Sequence, residues 1–117
     1  MLGLTHQHLP RMSVIAIAGE ADRTSCEQLA DYLGRVRRPG DHVVVDMSRL
    51  SFLDSSGLHV LLLCARTCAD DDARVHLAAA HGAPARLLEI TEVSAHLPVH
   101  DTVEQAITAI LNGIPRT

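Results

Sequence analysis

The chain has 117 residues, a formal net charge of −4 and an apolar fraction of 47%, values typical of one globular domain with a single core. Its aromatic fraction is 2%, its 10 basic residues are all arginines, and no long basic run occurs. A nucleic-acid-binding surface is not expected, because such surfaces stack bases on aromatic rings or contact phosphates with many cations.

Targeting signals and cysteine spacing give further expectations. No apolar run reaches the roughly 18 residues that span a bilayer, and the opening MLGLTHQHLPRMS lacks the charged start and long apolar stretch of a secretory signal. We therefore expect a cytoplasmic protein without membrane association. Cys26, Cys64 and Cys68 include no C-x-x-C pair, so ordinary buried thiols are expected.

The first half of the chain alternates predicted strands and helices. GLTHQHL is a candidate extra N-terminal strand, and SVIAIAGEAD (13–22) predicts a strand followed by a loop. TSCEQLADYLGRV (24–36) predicts a helix that begins at a serine or threonine cap and is ended by RRPG. HVVVDM (42–47) is a short, continuously apolar run that predicts a buried strand.

The second half continues this alternation. The predicted elements are, in order, an apolar linker SRLSFL, a helix over about 55–69, a buried strand ARVHLAAA (73–80), a short helix in HGAPARLLEI, an edge strand HLPVH (96–100) and a helix DTVEQAITAIL (101–111) ended by Gly113 and Pro115. Strands that alternate with helices predict an α/β fold in which helices cross over a sheet.

The segment SFLDSSGL marks the junction between a predicted strand and the helix 55–69. Asp54 suits the cap of that helix, because its carboxylate can accept the free N–H groups of the first turn. Ser55 and Ser56 then fall in the first turn. Gly57 follows, although glycine within a helix costs about 1 kcal/mol relative to alanine. One use for this glycine is the close approach of another backbone or of a bulky ligand.

Helical periodicity divides the helix 55–69 into two sides. The side expected to face inward carries Leu58, Leu61, Leu62, Ala65, Cys68 and Ala69. The opposite side carries Ser56, His59, Val60, Leu63 and Thr67. Two sizeable aliphatic residues on an outward side are consistent with a docking surface, and equally with the scattered apolar residues found on any protein surface.

A phosphate on Ser55 would act on a partner rather than on the fold. Phosphorylation adds a charge of about −1.5 to −2, which the N-terminus of a helix tolerates because of its dipole. A partner packed against the same surface would lose on the order of 3 kcal/mol, or about a hundredfold in affinity. The chemistry therefore allows a phosphorylation switch, with a plain capped helix as the alternative.

Two segments resemble a known family. They are GEAD, which follows a predicted strand, and VVVDMSRLSFLDSSGL. These two segments and the spacing between them are similar to those of the bacterial anti-sigma factor antagonists, which are STAS-domain proteins. The resemblance covers about residues 10–112 of a single predicted domain, 1–117. It implies a mixed β-sheet of four or five strands with about four α-helices packed mainly on one side.

The resemblance also implies a function by partner switching. In this family the unphosphorylated protein binds an anti-sigma factor that is also a serine kinase, and a PP2C-type phosphatase reverses the phosphorylation. Carried across, Ser55 is the phosphoacceptor, Asp54 orients the loop and Ser56 is a neighbour. Gly57 leaves room for the kinase, and Asp22 matches an acidic loop position near the partner. ATP, Mg²⁺ and the catalytic groups belong to the partners, so we expect no enzyme, cofactor or metal in this chain.

His59 departs from the family pattern, in which a glycine or another small residue is common at this position. Its bulk, and its partial charge near pH 6.5, could alter partner choice. A scaffolding role in a signalling assembly or beside a transport system, without phosphorylation, is the main alternative. A serine hydrolase is disfavoured by the absence of G-x-S-x-G. The pairs His6/His8 and His96/His100 have no third ligand at metal-like spacing.

Overall fold

The structure, a computed structural model, describes residues 2–113. Five strands form one sheet in the order β1-β2-β3-β4-β5, in which β1 is antiparallel to β2 and the other neighbours are parallel. The elements follow the chain as β1 (Leu2–Leu9), β2 (Met12–Ala21), α1 (Cys26–Val36), β3 (His42–Leu53), α2 (Ser55–Asp70), β4 (Val75–Ala78), α3 (Gly82–Thr91), β5 (Val99–His100) and α4 (Val103–Gly113). The predicted fold class is confirmed.

Alternation along the strands divides the sheet into two covered faces. On the first face, residues such as Ile15, Val43 and Leu77 pack with α1, α2 and α3 in the main core. On the second face, Val44 and Ala78 pack with α4 in a smaller cluster. Three helices on one face and one on the other explain the continuous apolar run of β3, because the strand is buried on both sides.

Two predicted boundaries were wrong. The segment SRLSFL is not a linker but the second half of β3, which pairs with β2 as far as Leu53. Register shifts in that pairing, at Ala16/Ala18 and Gly19/Glu20, interrupt the two-residue alternation and hid the strand from the pattern. The strand predicted over 96–100 begins only at Val99, because the 3₁₀ turn Val93–Ala95 continues into a turn and a bend at residues 96–97.

The candidate N-terminal strand in GLTHQHL is confirmed as β1. The final helix begins beside Thr102, whose hydroxyl accepts a hydrogen bond from the Gln105 N–H at 3.0 Å, while the Gln105 side-chain oxygen accepts one from the Asp101 N–H at 3.1 Å. This reciprocal arrangement resembles a capping box and satisfies N–H groups that the helix leaves free. The predicted helix-ending role of Pro115 lies outside the described residues.

Histidines line the second face of the sheet where α4 packs. His76 in β4 is buried, and its Nδ1 lies 3.0 Å from Nε2 of His100 in β5. Burial, together with the neighbouring His100, His42 and Arg74, lowers the pKa of His76 to about 4. The imidazole of His76 is therefore neutral in the folded protein at neutral pH.

We expect the protein to lose stability as the pH falls from about 6.5 towards about 4, because the unfolded state binds a proton at His76 before the folded state does. The free energy of unfolding is expected to fall by about 2 kcal/mol. This is less than the whole difference between the pKa values of His76 in the unfolded and folded states would give, because the ring is not wholly desolvated. Urea unfolding across this pH range measures it. In His76→Gln the fall should be smaller; an equal fall would contradict the assignment to His76.

Candidate functional site

The carboxyl ends of β2 and β3 meet the N-terminus of α2 at one end of the molecule. Asp54 caps α2 as predicted: its Oδ1 accepts hydrogen bonds from the Ser56 N–H at 2.9 Å and the Gly57 N–H at 3.1 Å. The Asp54 N–H donates to the Ala21 carbonyl at 3.2 Å. This hydrogen bond joins the start of α2, where Ser55 lies, to the loop that contains Asp22.

Gly57 lies where α2 meets the end of β2. A Cβ at this position would lie 2.7 Å from the Ala21 carbonyl oxygen and 2.8 Å from Cδ1 of Leu53. Gly57 is buried, so its missing side chain makes room for this chain's own backbone. The interpretation that Gly57 leaves space for an incoming kinase is wrong, and the alternative of a close backbone approach is correct.

Asp22 has its carboxylate engaged within its own loop. Oδ1 accepts hydrogen bonds from the Thr24 hydroxyl at 2.6 Å, from the Thr24 N–H at 2.9 Å and from the Ser25 hydroxyl at 3.3 Å. These bonds, with the Thr24 hydroxyl foremost, lower the pKa of Asp22. The carboxylate is therefore ionised at neutral pH and gives the loop a fixed shape and a negative charge.

Three predicted residues form a line along the exposed side of α2. Ser55 at its first position, His59 one turn later and Leu63 a further turn on are all exposed, and Leu63 retains 45% of its accessible surface. We call Ser55, His59 and Leu63 the α2 stripe. Ser56 is half-buried beside it. The line presents a hydroxyl, an imidazole and an aliphatic side chain to any molecule that approaches α2.

The helical pattern predicted that Val60 lies on this exposed side, and that prediction is wrong. It is buried, with 9% of its surface accessible, and faces α1 near Leu33. Ala69, predicted to face inward, is exposed. A pattern that assumes one buried side fails for α2, because this helix packs both on the sheet and against α1.

Phe52 and Ala21 were missed by the sequence analysis. Phe52 is the single phenylalanine of the chain and keeps 43% of its surface accessible, two residues before the Asp54 cap. Its position in SFLDSSGL, two residues before the cap, was a signal that could have been used, because aromatic residues are rare in this chain. Ala21, whose side chain is buried in the main core, contributes its backbone carbonyl to this junction, a role that no side-chain pattern reveals.

The histidines and helices of residues 2–113 give no sign of a metal site or of a membrane span. Among them, no cluster of three or more His, Cys, Asp or Glu side chains has an arrangement that could hold a metal ion. His6 and His8 share a face of β1, where His6 contacts the Tyr32 hydroxyl and His8 the Ser13 hydroxyl. His96 lies in a turn outside β5. In the same residue range, no helix is both long enough and apolar enough to cross a bilayer.

Comparison with known proteins agrees with this architecture. The family model of the STAS domain matches residues 4–106, so the chain belongs to the STAS domain family. A curated relative, the putative anti-sigma factor antagonist BtrV of Bordetella bronchiseptica, is 27% identical over 97% of this chain and 98% of its own length.

Two solved structures share the fold. An anti-sigma factor antagonist from Mycobacterium paratuberculosis superposes with a TM-score of 0.86 at 23% identity, over 95% of both chains. The phosphorylated form of the Bacillus cell fate determinant SpoIIAA has a TM-score of 0.70 at 22% identity, over 92% of this chain and 99% of its own. At these identities the likeness establishes the fold.

Proposed function

We propose that this chain is an anti-sigma factor antagonist that binds an anti-sigma factor through the α2 stripe and the Asp22 loop. In this proposal the anti-sigma factor is also a serine kinase, phosphorylation of Ser55 releases it, and a PP2C-type phosphatase restores the hydroxyl. The chain acts in the cytoplasm as a regulator of sigma-factor-dependent transcription and not as an enzyme.

One observation carries the proposal: Ser55 is exposed at the first position of a helix whose cap is already complete. Because Asp54 Oδ1 accepts the N–H groups of Ser56 and Gly57, the serine hydroxyl is not needed to hold the helix. A kinase can therefore reach it, and a phosphate can occupy that position without displacing an internal hydrogen bond.

The charge around Ser55 supports release rather than tighter binding. A phosphate there would lie beside the Asp54 carboxylate and within the same pair of loops as the ionised Asp22. Concentrated negative charge on a surface that a partner covers is costly, because neither the phosphate nor the carboxylates keep their water. The free protein keeps that water and is little affected.

Intact-mass spectrometry after incubation with the cognate kinase and MgATP tests the proposal. We expect the wild-type chain to gain one phosphoryl group, Ser56→Ala to gain the same, and Ser55→Ala to gain none. Ser56 is the matched control because it is the neighbouring hydroxyl and is half-buried. An unmodified wild-type chain would contradict the proposal and favour the scaffolding alternative.

A further inference from the structure

Strand β1 forms one edge of the sheet and has no neighbour on its outer side. Within residues 2–113 the only strand paired with β1 is β2, and the opposite edge, β5, is just 2 residues long. β1 has 8 residues, contains no lysine, arginine, aspartate, glutamate or proline, and pairs with β2 without a bulge. Folded proteins normally protect long edges with such residues, with bulges or with a covering element. This edge lacks those protections and is open to a further strand.

The direction of the backbone groups in β2 identifies those that β1 directs outward. The Arg11 carbonyl accepts a hydrogen bond from the His42 N–H of β3 at 2.9 Å. Backbone groups alternate in direction along a strand, so the next residue of β2 and every second one after it direct their groups towards β1. These include the partners of Thr5 and Gln7. The residues of β1 whose N–H and carbonyl groups point away from β2 are therefore Leu4, His6 and His8.

The start of β1 is already engaged by α1. The Gln28 side-chain amide donates a hydrogen bond to the Leu2 carbonyl at 3.4 Å, which leaves Leu4–His8 as the part of the edge that we call the open segment. Its central residue is His6. In an antiparallel pair of open segments with His6 opposite His6, each Leu4 lies opposite a His8. Every outward N–H then meets an outward carbonyl, with about six hydrogen bonds in all.

The side chains of the open segment carry no fixed charge that opposes this pairing. On the face covered by α1, Leu4 packs against the main core, and Nδ1 of His6 lies 2.6 Å from the Tyr32 hydroxyl. On the second face, Thr5 and Gln7 are exposed and uncharged. Pairing centred on His6 places Thr5 of each copy opposite Gln7 of the other, where directly opposed side chains contact one another.

Charges beside the edge favour a second copy of this chain in the antiparallel direction. Asp31 is exposed beside Leu4. Arg38 lies near His8: partial burial and then the charge of Arg38 lower the pKa of His8, and Asp41 opposes them. Because each Leu4 lies opposite a His8 in this pairing, the Asp31 end of one edge meets the Arg38 end of the other. Complementary charges of this kind set the orientation of two partners more than their affinity.

We propose that this chain forms a two-fold symmetric dimer in which the outer edges of β1 pair antiparallel, with His6 opposite His6, so that one sheet continues through both copies. The unprotected open segment, its self-complementary backbone groups and the order of charge along the edge carry this assignment. The surface shares no residue with the α2 stripe or the Asp22 loop, so the dimer does not rest on the proposed function.

Sedimentation equilibrium of the full wild-type chain over a range of concentrations is the first measurement, and we expect a monomer–dimer equilibrium. His6→Pro removes the outward N–H at the centre of the pairing but no hydrogen bond to β2, and proline is tolerated at such edge positions. Dimerisation of this variant should be weaker by at least about tenfold, with its fold checked by thermal unfolding. A wild-type chain that stays monomeric at millimolar concentration would overturn the proposal, as would undiminished dimerisation of folded His6→Pro.

Charged variants on the exposed second face test the register without altering the backbone. Thr5→Lys and Gln7→Glu should each dimerise at least about threefold more weakly than the wild type, because each homodimer brings two like charges together near the axis. Their equimolar mixture should associate more strongly than either variant alone, since the introduced lysine then lies opposite the introduced glutamate.

Thr108→Lys, at an exposed position of α4, is the matched control and should dimerise like the wild type. Equal weakening by Thr5→Lys and Thr108→Lys would show that the dimer does not use β1. A mixture of Thr5→Lys and Gln7→Glu that associates no better than the separate variants would refute the pairing centred on His6.

Discussion

Ser55→Asp is expected to weaken binding of the anti-sigma factor by about a hundredfold, which corresponds to about 3 kcal/mol. The aspartate places a permanent negative charge at the start of the α2 stripe, next to the Asp54 carboxylate. When a partner covers this surface, the added charge loses water without gaining a counter-ion. Isothermal titration calorimetry with the purified anti-sigma factor measures the difference.

The matched control for this variant is Ser94→Asp. Ser94 is also an exposed serine, but it lies in the short 3₁₀ turn after α3, away from the N-terminus of α2. The same charge added there should leave the affinity within about twofold, because exposed charges far apart are screened by salt. A comparable loss in both variants would show that net charge, and not the position of Ser55, controls binding.

Gly57→Ala is expected to destabilise the folded protein by about 2 kcal/mol and to lower Tm by about 8 °C. The new methyl group would lie 2.7 Å from the Ala21 carbonyl oxygen, which cannot move without losing its hydrogen bond from Asp54. The overpacking penalty exceeds the gain in helix propensity, which is about 1 kcal/mol. Thermal and urea unfolding measure both quantities.

Gly34→Ala provides the opposite case in a neighbouring helix. Gly34 lies within α1, and a Cβ there meets nothing within 4 Å. The substitution should therefore stabilise the protein by about 0.5 kcal/mol through reduced freedom of the unfolded chain. If Gly57→Ala were as well tolerated as Gly34→Ala, the close packing of α2 on the end of β2 would be incorrect.

Much of the fold could be predicted from local patterns. The cap at Asp54 and the start of α2 at Ser55 are encoded within a few residues, since a carboxylate followed by free N–H groups is a short-range feature. The strand–helix alternation likewise follows from apolar periodicity. The second half of β3 could not be predicted, because its register shifts against β2 depend on pairing between distant segments.

Within the candidate site, the errors concern burial. Val60 was expected outside and is buried, because a pattern along one helix cannot show that α1 packs beside it. Gly57 was expected to leave room for the partner kinase, although the Ala21 carbonyl occupies the space beside it. Both errors come from tertiary neighbours and not from the helix itself. His59, Leu63 and Thr67 are exposed as predicted, whereas Ser56, also predicted to face outward, is half-buried.

A single comparison addresses the central claim that a phosphate on Ser55 changes partner binding without changing the fold. The unmodified chain and the same chain phosphorylated at Ser55 are titrated with one preparation of anti-sigma factor, and each is unfolded in urea. We expect the affinity to fall by about a hundredfold while the free energy of unfolding changes by less than about 1 kcal/mol. An unchanged affinity would contradict the central claim. A loss of affinity that is accompanied by a large fall in the free energy of unfolding would contradict it as well.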